Sequence, residues 1–325
     1  MIRVGLTYDL RSEYLRMGFS EEETAEFDRD DTIEAIEKTL QHLGYATDRI
    51  GNVKQLAEAL VKGKRWDIVF NICEGMYGIG REAQVPALLD AWNIPYVFSN
   101  PLVLSLTLHK AMTKSVIRDS GLATADFCVI SKPEDIEKVS IPFPLFAKPV
   151  SEGTGKGIDA RSVITGARQL RNICLDLLSR FNQPVLVEKY LSGREFTVGL
   201  VGTGESARAT GTMEIVLNER AEKNVYSYVN KEECEELVKY RRAGQEIVGQ
   251  CEQLALSVWQ TLGCEDAGRI DIRCDDNGLP NFMEVNPLAG LHPEHSDLPI
   301  LSTLNGISYI ELVSMIMESA IKKIV

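Results

Sequence analysis

The sequence predicts a mixed α/β and α+β fold: a parallel sheet covered by helices, then two further modules in which strands and helices follow no strict alternation. Three observations lead there. From Ile2 to about Ser99, short apolar runs alternate with helical patterns, the order expected of a parallel sheet. After Asn100-Pro101 that alternation stops and longer strands take over. At 325 residues the chain is also long for one compact core.

Ile2 to Tyr8 reads as the first strand. Ile33, Ile36, Leu40 and Leu43 recur at helical spacing, and Gly44 stops the helix they outline. A helix over Val53 to Val61, a strand over Asp67 to Asn71, a helix over Ala83 to Trp92 and a strand over Tyr96 to Phe98 complete a first module, 1–99, Rossmann-like in pattern alone. Its loop Asn71 to Glu82 follows a strand's carboxyl end, where open α/β sheets bind ligands, but it lacks GxGxxG spacing and reads equally as a plain connection. A second module, 100–190, holds helices near His109 to Asp119 and Gly166 to Leu178 and the strand Pro184 to Tyr190. The third, 191–325, holds longer strands from Arg194, a polar stretch over Asn218 to Glu236 and a helix ending at Gly263. Its last helix carries Tyr309, Leu312, Val313, Ile316, Met317, Ala320 and Ile321 on one stripe, opened by a Ser308/Glu311 capping box.

Hydrophobic residues at 44% and charged residues at 25% place the chain among globular proteins and exclude fibrous or disordered classes. The net charge of −12 argues against nucleic acid or an anionic membrane as partner, while leaving room for a local basic pocket. No apolar run approaches the roughly 18 residues of a membrane span, and the first residues do not read as a signal peptide, so a cytoplasmic protein is expected. Seven scattered cysteines without a CxxC pair point to reduced thiols.

The chemistry concentrates in two alternating segments. Arg269, Asp271 and Arg273 share one face of a strand, and Glu284 and Asn286 share one face of the next. Between them, Asn277-Gly278 is a strong hairpin signal. If those two residues form the turn, counting back along both strands places Asp271 opposite Glu284 and Arg269 opposite Asn286. Like charges opposed across a ladder are destabilising. A hard divalent cation held by Asp271, Glu284 and the Asn286 amide oxygen would offset the clash; the alternative is a solvated face neutralised by Arg269 and Arg273.

A second signal is the strand Phe146 to Val150 running through Lys148 into Ser151-Glu152-Gly153-Thr154-Gly155-Lys156-Gly157, a loop whose backbone N–H groups can cradle phosphates. It is not a Walker A sequence. A third is Val187-Glu188-Lys189-Tyr190-Leu191, with Glu195 opening the next strand.

Together these segments resemble the ATP-grasp superfamily and, within it, the D-alanine–D-alanine ligase family, well over about 100–325 and loosely before. The resemblance implies a pre-ATP-grasp substrate module (1–99), a small subdomain with a glycine-rich lid (100–190) and a large subdomain with the metal site (191–325), with ATP and Mg²⁺ or Mn²⁺ between the last two. It implies that Lys110 and Lys148 contact phosphate, that Glu188, Lys189 and Leu191 contact adenine and Glu195 the ribose, and that Asp271, Glu284 and Asn286 ligate the metal. Arg269 would steady the reacting oxygens, Thr154 replaces the family's lid serine, and Lys231, in Tyr226 to Lys231, would reach over the γ-phosphate from a mobile loop. His295 and Ser296 match the grip on the acceptor's carboxylate, and Glu74 and Gly290 substrate-contacting positions. His292-Pro293-Glu294-His295 lacks HExxH spacing, and Pro293 opposes the helix a zinc pair would need.

The departures fall on the amino-acid side. The first strand ends Thr7-Tyr8-Asp9-Leu10 where the family has Gly-Gly then Ser and Glu; Glu74 replaces a histidine, Glu232 a tyrosine, and Pro287-Leu288-Ala289-Gly290 stands for Thr-x-Pro-Gly. The expected function is therefore ATP-dependent joining of a carboxylate to an amine through an acyl phosphate, on small amino-acid or peptide substrates, with D-alanyl-D-alanine not the main product and a donor or acceptor carrying an extra cationic group favoured. Either Glu21, Glu22, Glu23 or Glu26 could instead supply the missing carboxylate. A non-catalytic ATP-binding protein and a ligase with a hydroxy-acid acceptor are the rival readings, and a homodimer is an assembly the resemblance allows.

Overall fold

The computed structural model describes residues 1–218 and 237–324. Its first sheet is parallel, in the order β2-β1-β3, formed by β1 (Arg3–Tyr8), β2 (Ala46–Gly51) and β3 (Ile68–Ile72). Every residue of β3 is buried, Asn71 included, as burial on both faces of a helix-covered parallel sheet requires. Around it lie α1 (Arg11–Arg16), α2 (Asp30–His42), α3 (Val53–Val61) and α4 (Gln84–Ala91). Ile33, Ile36 and Leu40 of α2 face the core, and Asn52 starts α3 with a capping box.

The strand expected over Tyr96 to Phe98 is not formed. Only one bridge, Val69 to Tyr96, extends the sheet. Phe98 takes a left-handed backbone, φ +75°, and its N–H donates to Asp266 Oδ2 at 2.8 Å instead of to a ladder. A helix not anticipated from sequence follows, α5 (Pro101–Leu108), capped by the Asn100 side chain with proline in its first turn. α6 (Lys110–Asp119) comes next.

The second sheet is antiparallel, β4-β7-β5-β6, from β4 (Phe127–Ile130), β5 (Leu145–Pro149), β6 (Val163–Ile164) and β7 (Val185–Lys189), with α7 (Ala167–Phe181) packed against it. The third, β10-β9-β8-β11-β12, is also antiparallel and is built from β8 (Glu195–Val201), β9 (Arg208–Leu217), β10 (Val238–Arg242), β11 (Ala267–Cys274) and β12 (Pro280–Asn286). α8 (Gln245–Leu262) covers it through Ile247, Cys251, Ala255, Val258 and Trp259, whose indole N–H donates to the Gly202 carbonyl at 3.1 Å.

α9 (Asp297–Leu304) leads to α10 (Tyr309–Ala320), which begins with the expected Ser308/Glu311 capping box and returns to the first module. Leu312, Val313, Ile316 and Met317 join Val4, Leu6, Ile33 and Ile36 in one apolar cluster. Lys323 then ion-pairs with Asp266 at 2.8 Å, tying the chain's end to the carboxylate that caps Phe98. Cys73, Cys174, Cys251, Cys264 and Cys274 are buried free thiols and Cys128 is half-buried and free; Cys234 lies outside the described residues. Among the described residues no single helix is long and apolar enough to cross a membrane.

Candidate active site

The β11–β12 hairpin pairs Arg269 with Asn286 and Asp271 with Glu284, the juxtaposition the sequence pattern requires. The turn reaches it by another route. Gly278 lies at φ +80° and donates to the Asp275 carbonyl at 3.0 Å, while the Asp275 N–H donates to the Leu279 carbonyl at 2.9 Å. Asp276-Asn277-Gly278 is thus a three-residue loop rather than the two-residue turn read from Asn-Gly. Beyond it Ile272 faces Phe282, one residue out of the expected register, until a bulge at Met283 restores Asp271 opposite Glu284.

Asp271 is held from two sides: Arg269 hydrogen-bonds one carboxylate oxygen, and the Thr197 hydroxyl donates to the other at 2.9 Å. Arg269 also lies 3.7 Å from Asp297 at the start of α9. These carboxylates raise the Arg269 guanidinium's pKa against the opposing effect of burial, so it keeps its charge. Asn286 completes the set, with a buried amide nitrogen that has no partner among the described residues. Amide orientation is assigned from hydrogen bonding; rotated, the same side chain offers its oxygen to the cleft. Two opposed carboxylates plus an amide oxygen are the donor set a hard divalent cation takes, so the residues fit the expected metal.

Next to this hairpin sit three buried lysines. Lys110 and Lys114 are four residues apart on the inward face of α6, and Lys148 is on β5. Glu188 on β7 bridges two of them, 2.9 Å from Lys114 and 3.1 Å from Lys148. Burial alone would raise the Glu188 pKa, but the two ammonium groups outweigh it and hold it at about 2. Lys110 donates to the Glu152 carbonyl and lies 3.8 Å from Glu284. Lys114 escaped the sequence reading; a lysine one turn after Lys110, on the same stripe as buried Ile117, was the available signal.

The glycine-rich loop leaves β5 over this cluster. Thr154, Gly155 and Gly157 all take positive φ, and a Cβ on Gly153 would lie 2.4 Å from Glu26 Oε1. That carboxylate accepts the Gly153 N–H at 2.6 Å, meets Arg81 at 3.0 Å and lies 3.6 Å from Lys156. Arg81 in turn donates to the Ser151 carbonyl at 2.9 Å. Of the four glutamates offered from sequence as a replacement, Glu26 is the one that lines the cleft.

The main cleft, of about 330 Å³, brings together Lys110, Thr154, Arg269, Glu284, Asn286, Gly290, His295, Ser296 and Glu74. A narrower cavity of about 50 Å³ adjoins it, with Lys148, Glu195 and Asp271 in its lining. Glu195 there meets Arg273 at 3.3 Å. Ser296 accepts the His292 N–H at 2.9 Å beside Gly290, where a Cβ would come 2.8 Å from its hydroxyl. Neither cavity is lined by Lys189 or Leu191; the Lys189 ammonium donates to the Pro142 and Phe143 carbonyls at 3.2 and 3.1 Å. His292 accepts the N–H groups of Glu294 and His295 on one ring nitrogen and lies 3.3 Å from Asp31 on the other. Lys231 and Glu232 lie outside the described residues.

The family model for the D-ala D-ala ligase C-terminus matches residues 116–318. A D-alanine–D-alanine ligase of Bordetella petrii is 32% identical over 274 residues, 83% of this chain and 80% of that protein. One from Aquifex aeolicus is 29% identical over 290 residues, 88% of this chain and 93% of that one. Among solved structures, the D-alanine–D-alanine ligase from Bacillus anthracis complexed with ATP covers 99% of this chain and 98% of its own, at TM-score 0.74 and 22% identity. The VanG D-Ala:D-Ser ligase from Enterococcus faecalis covers 98% of this chain and 99% of its own, at TM-score 0.75 and 17% identity. At those identities the structures speak for the fold, which is ATP-grasp.

Proposed function

The chain belongs to the D-alanine–D-alanine ligase family and is an ATP-dependent, amide-forming ligase, and we propose that its described cleft is where a carboxylate is phosphorylated and then joined to an amine. The observation that carries this reading is one continuous cleft with Lys110, Arg269, Glu284, Asn286 and the glycine-rich loop on its walls. A bare carboxylate is a poor electrophile. Its oxygen therefore attacks the γ-phosphorus of ATP, ADP leaves, and the resulting acyl phosphate is attacked at carbon by the amine; inorganic phosphate departs with the C–O bond and the amine loses a proton.

Each residue's part follows from its surroundings. Lys148, kept charged by Glu188, and Lys110 face the transferring phosphates, and backbone N–H groups between Ser151 and Gly157 cradle them. Glu195, in the adjoining cavity, would take the ribose; adenine contact by the segment Glu188-Lys189-Tyr190-Leu191 rests on the family resemblance alone. Asp271, Glu284 and Asn286 would hold Mg²⁺ or Mn²⁺, which supplies positive charge to the phosphate oxygens. Arg269 is aimed at the charge that grows when the amine adds to the acyl carbon. Gly290, His295 and Ser296, at the mouth of α9, would receive the acceptor's carboxylate.

The test is ADP release, with ATP and Mg²⁺, against pools of D- and L-amino acids and small peptides. Amine-dependent ADP formation with one amide product per ADP is expected; ATP binding with no turnover on any pool would favour a nucleotide-binding role.

A further inference from the structure

Gly290, His295 and Ser296, the residues proposed for the acceptor's carboxylate, include no permanent cation: glycine and serine are neutral, and histidine is charged only when protonated. A carboxylate drawn into a partly enclosed cleft needs a counter-charge. Most cations in the lining already serve a neighbour: Arg11 meets Glu21 at 2.7 Å, Lys110 lies 3.8 Å from Glu284, and Arg269 serves Asp271 and Asp297. Arg29, the residue ahead of α2, lines the same cleft and is held more loosely. Its carboxylate contact, Asp31, is 3.5 Å away, and the two side chains are 48% and 60% exposed, a kind of pair that contributes little.

The other neighbour of Arg29 is a mismatch. Its Nη2 lies 3.0 Å from Nε2 of His292, which lines the cleft beside His295 and Ser296. The His292 Nδ1 accepts the N–H groups of Glu294 and His295 at 3.1 and 3.2 Å, so the ring's proton sits on Nε2, 3.3 Å from Asp31. Two donors then face each other, because a guanidinium nitrogen accepts nothing. Moving the proton to Nδ1 only transfers the conflict to the two backbone N–H groups. With the proton on Nε2, the arrangement that satisfies both backbone groups, Nη2 and Nε2 lack a common acceptor. An anionic oxygen beside both nitrogens supplies one and gains a charge-assisted bond from Arg29.

We propose that Arg29 is a specificity-determining residue of the ligase: its guanidinium, with the His292 Nε2–H beside it, takes the carboxylate of the amine substrate. The proposal rests on the ligase reading above and deepens it. It adds to the acceptor end a charge from the first module, where the family resemblance is loose and no motif marks Arg29. Asp31, itself exposed, competes weakly for the guanidinium. An acceptor with a free carboxylate is then favoured, because an amide in its place offers only a neutral oxygen to a charged donor.

The experiment takes the amino acid most active in the ADP-release pools and mixes it with an equal concentration of its primary amide, which keeps the amine and loses the charge. The amide serves only as acceptor, so the ratio of the two products, read by mass spectrometry, is the ratio of kcat/KM for the two acceptors. The parent enzyme should favour the free acid at least ~10-fold. Arg29→Gln should cut that ratio about fivefold or more while KM for ATP stays within about twofold. Arg29→Lys, which also serves should the glutamine variant fail to fold, should fall between the two. Amide used as well as acid by the parent, or a ratio unmoved in the folded variants even if overall rate drops, overturns the role of Arg29 and leaves the ligase reading standing. ADP release on no pool at all overturns both.

Discussion

The Glu26 carboxylate accepts the Gly153 backbone N–H at 2.6 Å, a contact between residues 127 positions apart that joins the first module to the glycine-rich loop. Arg81 braces it from the same module, and Lys156 approaches from the loop itself. The loop that would cradle phosphate is therefore in contact with a side chain of the first module. Glu26→Gln keeps an acceptor but loses the charge that holds Arg81 and Lys156. Nucleotide affinity is expected to fall about tenfold or more, since hydrogen bonds to charged groups contribute about 1.5–3 kcal/mol. Titration of ATP binding at fixed Mg²⁺ measures it; an unchanged dissociation constant would show that the contact does not position the loop.

Lys148 and Arg269 should separate into binding and chemistry. On the proposed reading, Lys148→Ala removes a charge that would face phosphate and leaves Glu188 with Lys114 alone, so KM for ATP should rise more than tenfold and Tm should fall. If Arg269 stabilises charge only as the tetrahedral centre forms, as proposed, Arg269→Ala should drop kcat by about 10²–10³ with ATP affinity nearly intact. Steady-state kinetics on both variants separates them, and equal losses in ATP affinity would contradict the division of roles.

Asp271→Asn and Glu284→Gln should each abolish turnover while leaving the fold in place, because both substitutions remove like charges opposed across the hairpin. Metal affinity, read by Mn²⁺ titration, should weaken in both. Retention of near wild-type activity by either variant would sink the metal assignment.

The sequence made the β11–β12 juxtaposition legible because alternation fixes which side chains share a face, and a one-residue slip would have turned all of them over. The slip does occur: the three-residue turn shifts the pairing, and the bulge at Met283 shifts it back before Asp271 is reached. No local pattern announced that bulge. Lys114 and Arg81 were equally hidden, since each gains its meaning from a partner distant in sequence, Glu188 or Glu26. The strand expected at Tyr96 to Phe98 failed for a similar reason: Asp266, just before β11, captures the Phe98 N–H. Amphipathic elements such as α2, α3 and α10 were plain in the sequence because their periodicity is a local property.

The raised pKa of Asp28 gives a stability test that needs no substrate. Below about pH 4 the carboxyl is protonated in both the unfolded and the folded chain, so its neutral form contributes full stability. As pH rises the unfolded chain ionises first, near 4, while the folded carboxyl holds its proton up to about 8. Stability from this group is therefore lost progressively between about pH 4 and pH 8, at a limiting slope of about 1.4 kcal/mol per pH unit that partial solvent exposure reduces. Asp28→Asn, which cannot ionise, should match the parent near pH 4 and exceed it by a few degrees in Tm at pH 8. Thermal melts of both proteins across that range, plotted as a difference, provide the measurement. A difference flat with pH, or one that favours the parent at pH 8, would mean that Asp28 ionises freely in the folded protein.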